Sequence, residues 1–524
     1  MDRLKKFFTN GILMTAVALI IRYVSVNFNV YISNRIGAVS MGIFTLVSSV
    51  YGFAITVATS GVSLATTKLV SEALGFGASK SGYDTDTTIR SIMKKSILLS
   101  LSVSSATSVI LFISSGYIGT HILGDERTVS SLQILAFSLP AIAVSSSLSG
   151  YFIAMRRVHK NALVQVLSQG LRIYLCILFL GRAVTKDMES ACVAIVIGMT
   201  LSEIIAFLIH AALYLVEQRN LDIDTRSNTD VTLTKRLIPI TVPVAFSAYM
   251  RSALVTVEHL LIPRGLEKSG ASRDLSLAAY GTIHSVVFPL VLFPSAISSA
   301  FAGLLVPEIS ESDAACDKAR IDRIVSRVLK TVLIYSIGVA GVIMCLASEL
   351  GSVMFPSSDT AVYIAYIAPL IPIMYLDTSV DSILKGLGYQ LYSMIVNIAD
   401  AGMSVILVWI MLPRFGIMGY IATVYFTEIV NATLSITKLL IVTKTRVRIS
   451  DWLIKPIIAI IISTAAISFI PTIVGRADSG AGLFFHIALI SMLYLCILVI
   501  LGAISPSKIK RSVVNFFNTR KEPV

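Results

Sequence analysis

The sequence predicts an all-α integral membrane protein of about fourteen transmembrane helices, built as two six-helix pseudo-symmetric lobes plus two C-terminal helices. Three observations carry this reading. Of the 524 residues, 55% are hydrophobic and only 14% charged, whereas soluble chains carry about 25% charged residues. The apolar residues fall into runs of about 20, enough to cross about 30 Å of hydrocarbon at 1.5 Å per residue. Short polar punctuation recurs between those runs along the whole chain.

Taken in order, the spans lie at 8–32, 40–66, 96–118, 129–153, 162–181 and 190–216. The opening MDRLKKFF and its apolar run read as a retained first helix rather than a signal peptide. Arg22, Asn27 and Asn29 interrupt the run, and no small-residue cleavage site follows. These six spans form the first lobe, residues 1–216. The polar stretch at 217–232 reads as a cytoplasmic linker. The second lobe, 233–440, holds spans at 237–262, 277–305, 329–348, 360–384, 391–412 and 415–440. Helices 13 and 14 follow within 441–504, at 453–474 and 482–504, and 505–524 is a basic tail suited to an anionic membrane surface.

The two lobes read as copies. At a spacing of 232, Ala136 matches Ala368, Pro140 matches Pro372 and Ser147 matches Ser379, all in the fourth span of a lobe. The end of the second span, SGVSLATTKLVSE, has the cadence of SAISSAFAGLLVPEISE in the eighth. Six spans per copy give both copies the same orientation, with an axis along the membrane normal and a substrate site near mid-membrane between them.

Charge sets the orientation. The net charge is +13, and the side that holds both termini collects about 31 of the 43 Lys and Arg, so both termini are expected in the cytoplasm of a multi-pass cell-membrane protein. The cations sit in short loops without interleaved stacking aromatics, which speaks against nucleic acid. The five cysteines include no CxxC pair and suggest neither a disulfide framework nor a metal site. No Walker A, HExxH or GxSxG motif occurs, so the reading is a transporter without a cofactor rather than an enzyme.

Charged residues inside spans are the candidate site, because a central arginine costs about 2.5–3.5 kcal/mol to insert. Arg22 lies near the centre of the first span and Arg251 near the centre of the seventh, its counterpart in the second lobe. Two guanidinium forks facing one aqueous cavity suit a diphosphate. A structural ion pair is the alternative for each, and Arg172 in the fifth span is a third candidate. Glu203, Glu258, Asp377, Asp381, Asp400 and Glu428 are also inside spans. Glu258 follows Arg251 by two turns and is placed to neutralise it. Asp377 and Asp381, spaced i, i+4, either take part in coupling to H⁺ or Na⁺ or form local salt bridges with residues such as Lys385. His210, His259, His284 and His486 share no ligand spacing and read as packing or interfacial residues. Prolines 140, 239, 243, 289, 294, 369 and 372 interrupt the fourth, seventh, eighth and tenth spans, where the carbonyls they free must face protein or water.

Several segments, in order, resemble the polysaccharide-transport branch of the multidrug/oligosaccharidyl-lipid/polysaccharide exporter superfamily, which includes peptidoglycan-precursor flippases. They are LIIRYVSVNFNVYISNRIGAVSMGIFTLVSSVYG, ATSGVSLATTKLVSEALG, LSGYFIAMRR, TVEHLLIPRGLEKSG, FPSAISSAFAGLLVPEIS and SVDSILKGLGYQ. The resemblance covers residues 1 to 440. It implies lobes that rock about a cavity and carry an undecaprenyl-linked saccharide, a cell-wall or spore-cortex precursor, from inner to outer leaflet as a monomer, driven by the membrane potential, H⁺ or Na⁺. It also implies that Arg22 binds substrate. A second arginine that the resemblance places in the eighth span is absent, and only His284 stands there, so Arg251 takes that role by inference from the repeat. Two rivals are a multidrug/cation antiporter of the same superfamily and a polyprenyl-linked-sugar glycosyltransferase or ligase.

Overall fold

A computed structural model describes residues 2–79, 85–183, 188–219, 232–354, 358–445, 447–468 and 480–504. Most of the linker expected at 217–232 and the whole tail 505–524 lie outside the described residues. Every regular element among the described residues is helical, and the described residues of the expected spans fall almost wholly on helix. Ten helical stretches are long and apolar enough to cross a bilayer, or eleven if Thr128–Ala136 and Leu139–Ala154, bent by 44°, are one span. That count is lower than fourteen because two long runs each hold two expected spans. Asp2–Thr59 has a non-helical break at Gly37 (φ 81°), and Gln390–Thr443 breaks at Gly416 (φ 57°). Both breaks use the left-handed region that glycine enters at no side-chain cost. The seventh span lies on the helix Thr232–Lys268, which is not among the ten.

The duplication is visible in backbone geometry. The helices Leu139–Ala154 and Ile371–Gly386 have the same length, start 232 residues apart, and each carries its proline in the first turn, where the missing N–H has no partner to lose. Their ends also repeat. Met155 N donates to Tyr151 O, Arg156 N to Ile153 O and Arg157 N to Phe152 O; 232 residues later Leu387 donates to Ile383, Gly388 to Lys385 and Tyr389 to Leu384. Arg156 (φ 58°) and Gly388 (φ 82°) both occupy the left-handed position that closes such a helix end.

The chain forms two compact units, one of residues 1–285 with 397–423 and one of 286–396 with 424–524. In the first unit, spans two to four pack around Leu69, Ile92, Met93, Tyr151 and Phe152, and spans one, five and six around Ile32, Met41, Cys176, Leu180 and Ile195. The second and eighth spans cross backbone to backbone, because a Cβ on Gly281 would lie 2.5 Å from Gly42 N and 2.8 Å from Ala38 O. Such small-residue crossings bring membrane helices into close van der Waals contact.

In the second unit the proline breaks are satisfied by buried hydroxyls. Tyr375 donates to Val291 O at 2.6 Å and Tyr335 to Pro294 O at 2.9 Å. These bonds cover carbonyls where the helices Phe288–Leu292 and Ser295–Ala314 meet, which hydrocarbon could not solvate. In the first unit the break of the fourth span is covered by Ser108, whose hydroxyl donates to Ala136 O at 2.6 Å.

Candidate functional site

The first unit holds Arg22, Arg172, Arg251 and Glu258; Asp377 and Asp381 belong to the second. Arg251 is exposed on the seventh span. Its charge acts on Asp400 of the eleventh span, and Asp400 in turn acts on Glu258, whose carboxyl is hydrogen-bonded to Ser404. Arg251 thus acts on a carboxylate of another helix. Asp400 Oδ1 is buried with no hydrogen-bond partner among the described residues.

Arg22 is partly buried and engaged with a partner. One turn further along the first span, Ser25 receives a hydrogen bond from Gln169 Nε2 of the fifth span at 3.0 Å. Arg172, one turn beyond Gln169, is ion-paired and hydrogen-bonded to Glu203 of the sixth span, with its side chain 30% exposed. Nearby, the Tyr51 hydroxyl shares a 2.5 Å hydrogen bond with Ser138. In the second unit Asp381 accepts from Lys385 Nζ at 2.5 Å, the i, i+4 salt bridge allowed by the spacing, and Asp377 is partly buried and engaged.

Two of the histidines meet although their spacing shows no reason for it. The rings of His259 and His284 lie 4.6 Å apart. His259 Nδ1 pairs with Tyr280 OH at 2.9 Å and His284 Nε2 with Tyr420 OH at 3.0 Å. His284 is thus bonded into a network of the seventh, eighth and twelfth spans. His210 pairs with Ser145 across two spans at 2.6 Å.

A second charged group joins the third–fourth hairpin to the seventh–eighth hairpin, and sequence reasoning missed it. The third span ends in a π-helical turn, Ile118–Leu123, capped by Gly124 in the left-handed region (φ 67°). Arg264 donates to His121 O at 2.7 Å and Ile122 O at 2.5 Å, and Arg273 donates to Leu123 O at 3.0 Å. Two cations from the seventh–eighth hairpin therefore occupy the C-terminal end of another helix, where carbonyls lack intrahelical partners and the macrodipole favours positive charge. Arg273 also bonds Glu267 at 3.3 Å and lies 4.0 Å from Asp125, a carboxylate only 6% exposed that Arg127 grips through Nε and Nη2. Burial pushes the Asp125 carboxyl up, but the hydrogen bonds from Arg127 and the charges of Arg127 and Arg273 outweigh it and hold it below its usual range. The space between Leu46, Ile122, Leu260 and Leu277 amounts to about 10 Å³, barely room for one water. Next to the contacts of the seventh span with the second (Tyr249 OH to Val57 O, 3.1 Å; Ser252 to Thr56, 3.2 Å), a crevice of about 250 Å³ is lined mainly by apolar side chains such as Val103, Val242 and Phe246.

The profile of the family described as "Polysaccharide biosynthesis protein" matches residues 7–313, more than half of the chain. The chain belongs to that family. The MatE profile matches residues 270–410, and together they place the chain in the polysaccharide-transport branch of the exporter superfamily, as a multi-pass membrane transporter rather than an enzyme. It is 24% identical to "Stage V sporulation protein B" of Bacillus subtilis (strain 168), over 97% of this chain and 98% of that one. It is also 21% identical to "Uncharacterized membrane protein YabM" of the same organism, over 76% and 74%. Among solved structures it shares its fold with the lipid II flippase MurJ in an inward closed conformation (TM-score 0.62, 14% identity, 94% of this chain and 98% of that chain). It shares it equally with an inward-facing multidrug resistance MATE family transporter (TM-score 0.63, 14% identity, 83% and 100%).

Proposed function

We propose that this transporter moves an undecaprenyl-diphosphate-linked saccharide, a cell-wall or spore-cortex precursor, from the inner to the outer leaflet by alternating access. The observation that carries the reading is Arg251, exposed at the middle of an apolar span. Asp400, the carboxylate its charge acts on, stands on another helix. An arginine in that setting offers planar donors to phosphate oxygens where water is scarce. Arg22 supplies the second fork from the first span. Arg172 acts with Glu203 as a brace beside it. The lobes 1–216 and 233–440 rock about this head-group path, and the isoprenoid tail stays in the bilayer.

Both termini are cytoplasmic in this scheme, which puts the Arg264–Arg273–Asp125 group at the extracytoplasmic end of its unit, where it joins two hairpins. Coupling falls to Glu258 and Asp400, a carboxyl pair beside Arg251 that can take up a cation when the substrate phosphate draws the arginine away. Asp381 is already paired with Lys385, and Asp377 lies one turn before it. The relatives support the substrate class: one is named for sporulation and one structure is that of a lipid II flippase.

The test is leaflet transfer of a fluorescent undecaprenyl-diphosphate saccharide in reconstituted vesicles. Arg22→Ala and Arg251→Ala should each reduce the rate at least about tenfold, the loss of one charge-assisted bond of about 1.5–3 kcal/mol, with normal expression. Wild-type rates in both variants would overturn the assignment. A multidrug antiporter is the second reading, favoured by the MatE match; export of a cationic dye that survives Arg251→Ala would support it instead.

A further inference from the structure

The repeat that shapes the two halves changes its chemistry at one place. The turn after the fourth span carries Arg157 and Lys160, and both are ion-paired to Glu217 at the end of the sixth span, a carboxylate only 5% exposed. A matching backbone bond puts Tyr389 at the position of Arg157 in the second half, and the offset of 232 puts Tyr392 at that of Lys160. The facing helix end there offers a cation rather than an anion: Lys438 Nζ lies 4.6 Å from the Tyr389 ring centroid and 5.4 Å from that of Tyr392. The Tyr392 hydroxyl donates to Leu434 O at 3.1 Å, one turn before Lys438, which fixes the ring beneath the ammonium.

Two differences follow. In the first half the carboxylate cancels one of two cations and ties the other down. In the second half no carboxylate lies within salt-bridge distance of Lys438 among the described residues, so the ammonium keeps its full charge while ring faces hold it in place. The surroundings face lipid: Leu391, Ile395 and Ile441 are 68%, 58% and 67% exposed. Lys444, which ends the helix with φ 55°, and Arg448 add exposed cations just beyond.

We propose that Tyr389, Tyr392 and Lys438 form a binding site for the phosphate head group of an anionic phospholipid on the membrane-facing surface of the second half. Lys438 supplies the charge, the Tyr389 hydroxyl a hydrogen bond, and the exposed aliphatic side chains a bed for the acyl chains. The site is independent of the cargo assigned above, since none of its residues belongs to the Arg22–Arg251 path.

Native mass spectrometry of the full chain released from detergent, with added phosphatidylglycerol or phosphatidylcholine, tests it. Phosphatidylglycerol adducts should exceed phosphatidylcholine adducts, and Lys438→Gln should weaken phosphatidylglycerol binding about fivefold, the worth of one basic residue at an anionic surface. Lys438→Arg should restore it, and Tyr389→Leu with Tyr392→Leu should lower it without altering the net charge. Unchanged phosphatidylglycerol binding in Lys438→Gln overturns the proposal. So does a site that takes undecaprenyl phosphate but not phosphatidylglycerol, which would make it a cargo entrance. If Lys438→Gln fails to fold, the arginine and tyrosine variants still decide the matter. Loss of lipid preference with leaflet transfer intact would separate this site from the transport reading.

Discussion

Replacing Arg264 and Arg273 tests the closure at the end of the third span. Arg264→Ala removes two hydrogen bonds, to His121 O and Ile122 O, and Arg273→Ala removes those to Leu123 O and Glu267. A hydrogen bond from a charged donor contributes about 1.5–3 kcal/mol when sheltered. Arg273 is 38% exposed and Glu267 32%, so water screens this pair and the exposed contribution falls to about 0–1 kcal/mol. Arg264 and its carbonyl bonds are exposed too, so about 1.4 kcal/mol for each arginine is a fair expectation, the carbonyl bonds supplying most of it. If these contacts exist only while this end is closed, each substitution moves the equilibrium toward the open form by about tenfold. The assay is labelling of a cysteine placed at Thr256, beside Ser49 between the seventh and second spans, by a membrane-impermeant maleimide in a cysteine-free background. From the side opposite the termini, labelling should rise about tenfold in either arginine variant. Unchanged labelling with a lowered melting temperature would refute the closure, because the arginines would then stabilise both forms alike.

Two other outcomes follow from the same geometry. The Asp125 carboxyl is held below its ordinary value of 3.8, so its contribution is complete above that value and is lost only as pH falls through the lower folded-state value. Labelling at position 256 should therefore stay flat between about pH 5 and 8, and Asp125→Asn should remove whatever acid sensitivity appears below that window. Gly281→Leu places a side chain where a Cβ alone would lie 2.5 Å from Gly42 N; separating the second and eighth spans should lower the melting temperature and the yield of folded protein in detergent, while Gly52→Leu, with open space around its Cβ, should not.

How much of this was legible in the sequence depends on the range of the interaction. Spans are local, so the expected apolar runs fall almost wholly on helix where they are described, and the offset of 232 found a duplication that recurs bond by bond at Met155–Arg157 and Leu387–Tyr389. Local spacing also foresaw the Asp381–Lys385 bridge. It reached no further than Glu258 on the helix of Arg251, because a two-turn separation says nothing of Asp400 on the eleventh span, which Arg251 acts on and which acts on Glu258. The histidines show the same limit. His259 and His284 sit on different helices, and only tertiary packing sets their rings 4.6 Å apart.

The closure was missed for a physical reason of its own. Its acceptors are main-chain carbonyls at His121, Ile122 and Leu123, which no side-chain motif announces. A faint signal was present nonetheless: Gly124 just after an apolar run marks a helix end, and Asp125 and Arg127 follow it at once. A helix end in a thin polar hairpin must find donors for its last carbonyls, and water serves most of them. Here arginines from the other sequence half serve instead, although solvent would have satisfied the same groups without cost to either helix. Stability alone does not require that choice. It makes sense where the two hairpins must be joined in one state and parted in another, since these bonds favour the joined state while water can take their place at the helix end each time the protein opens.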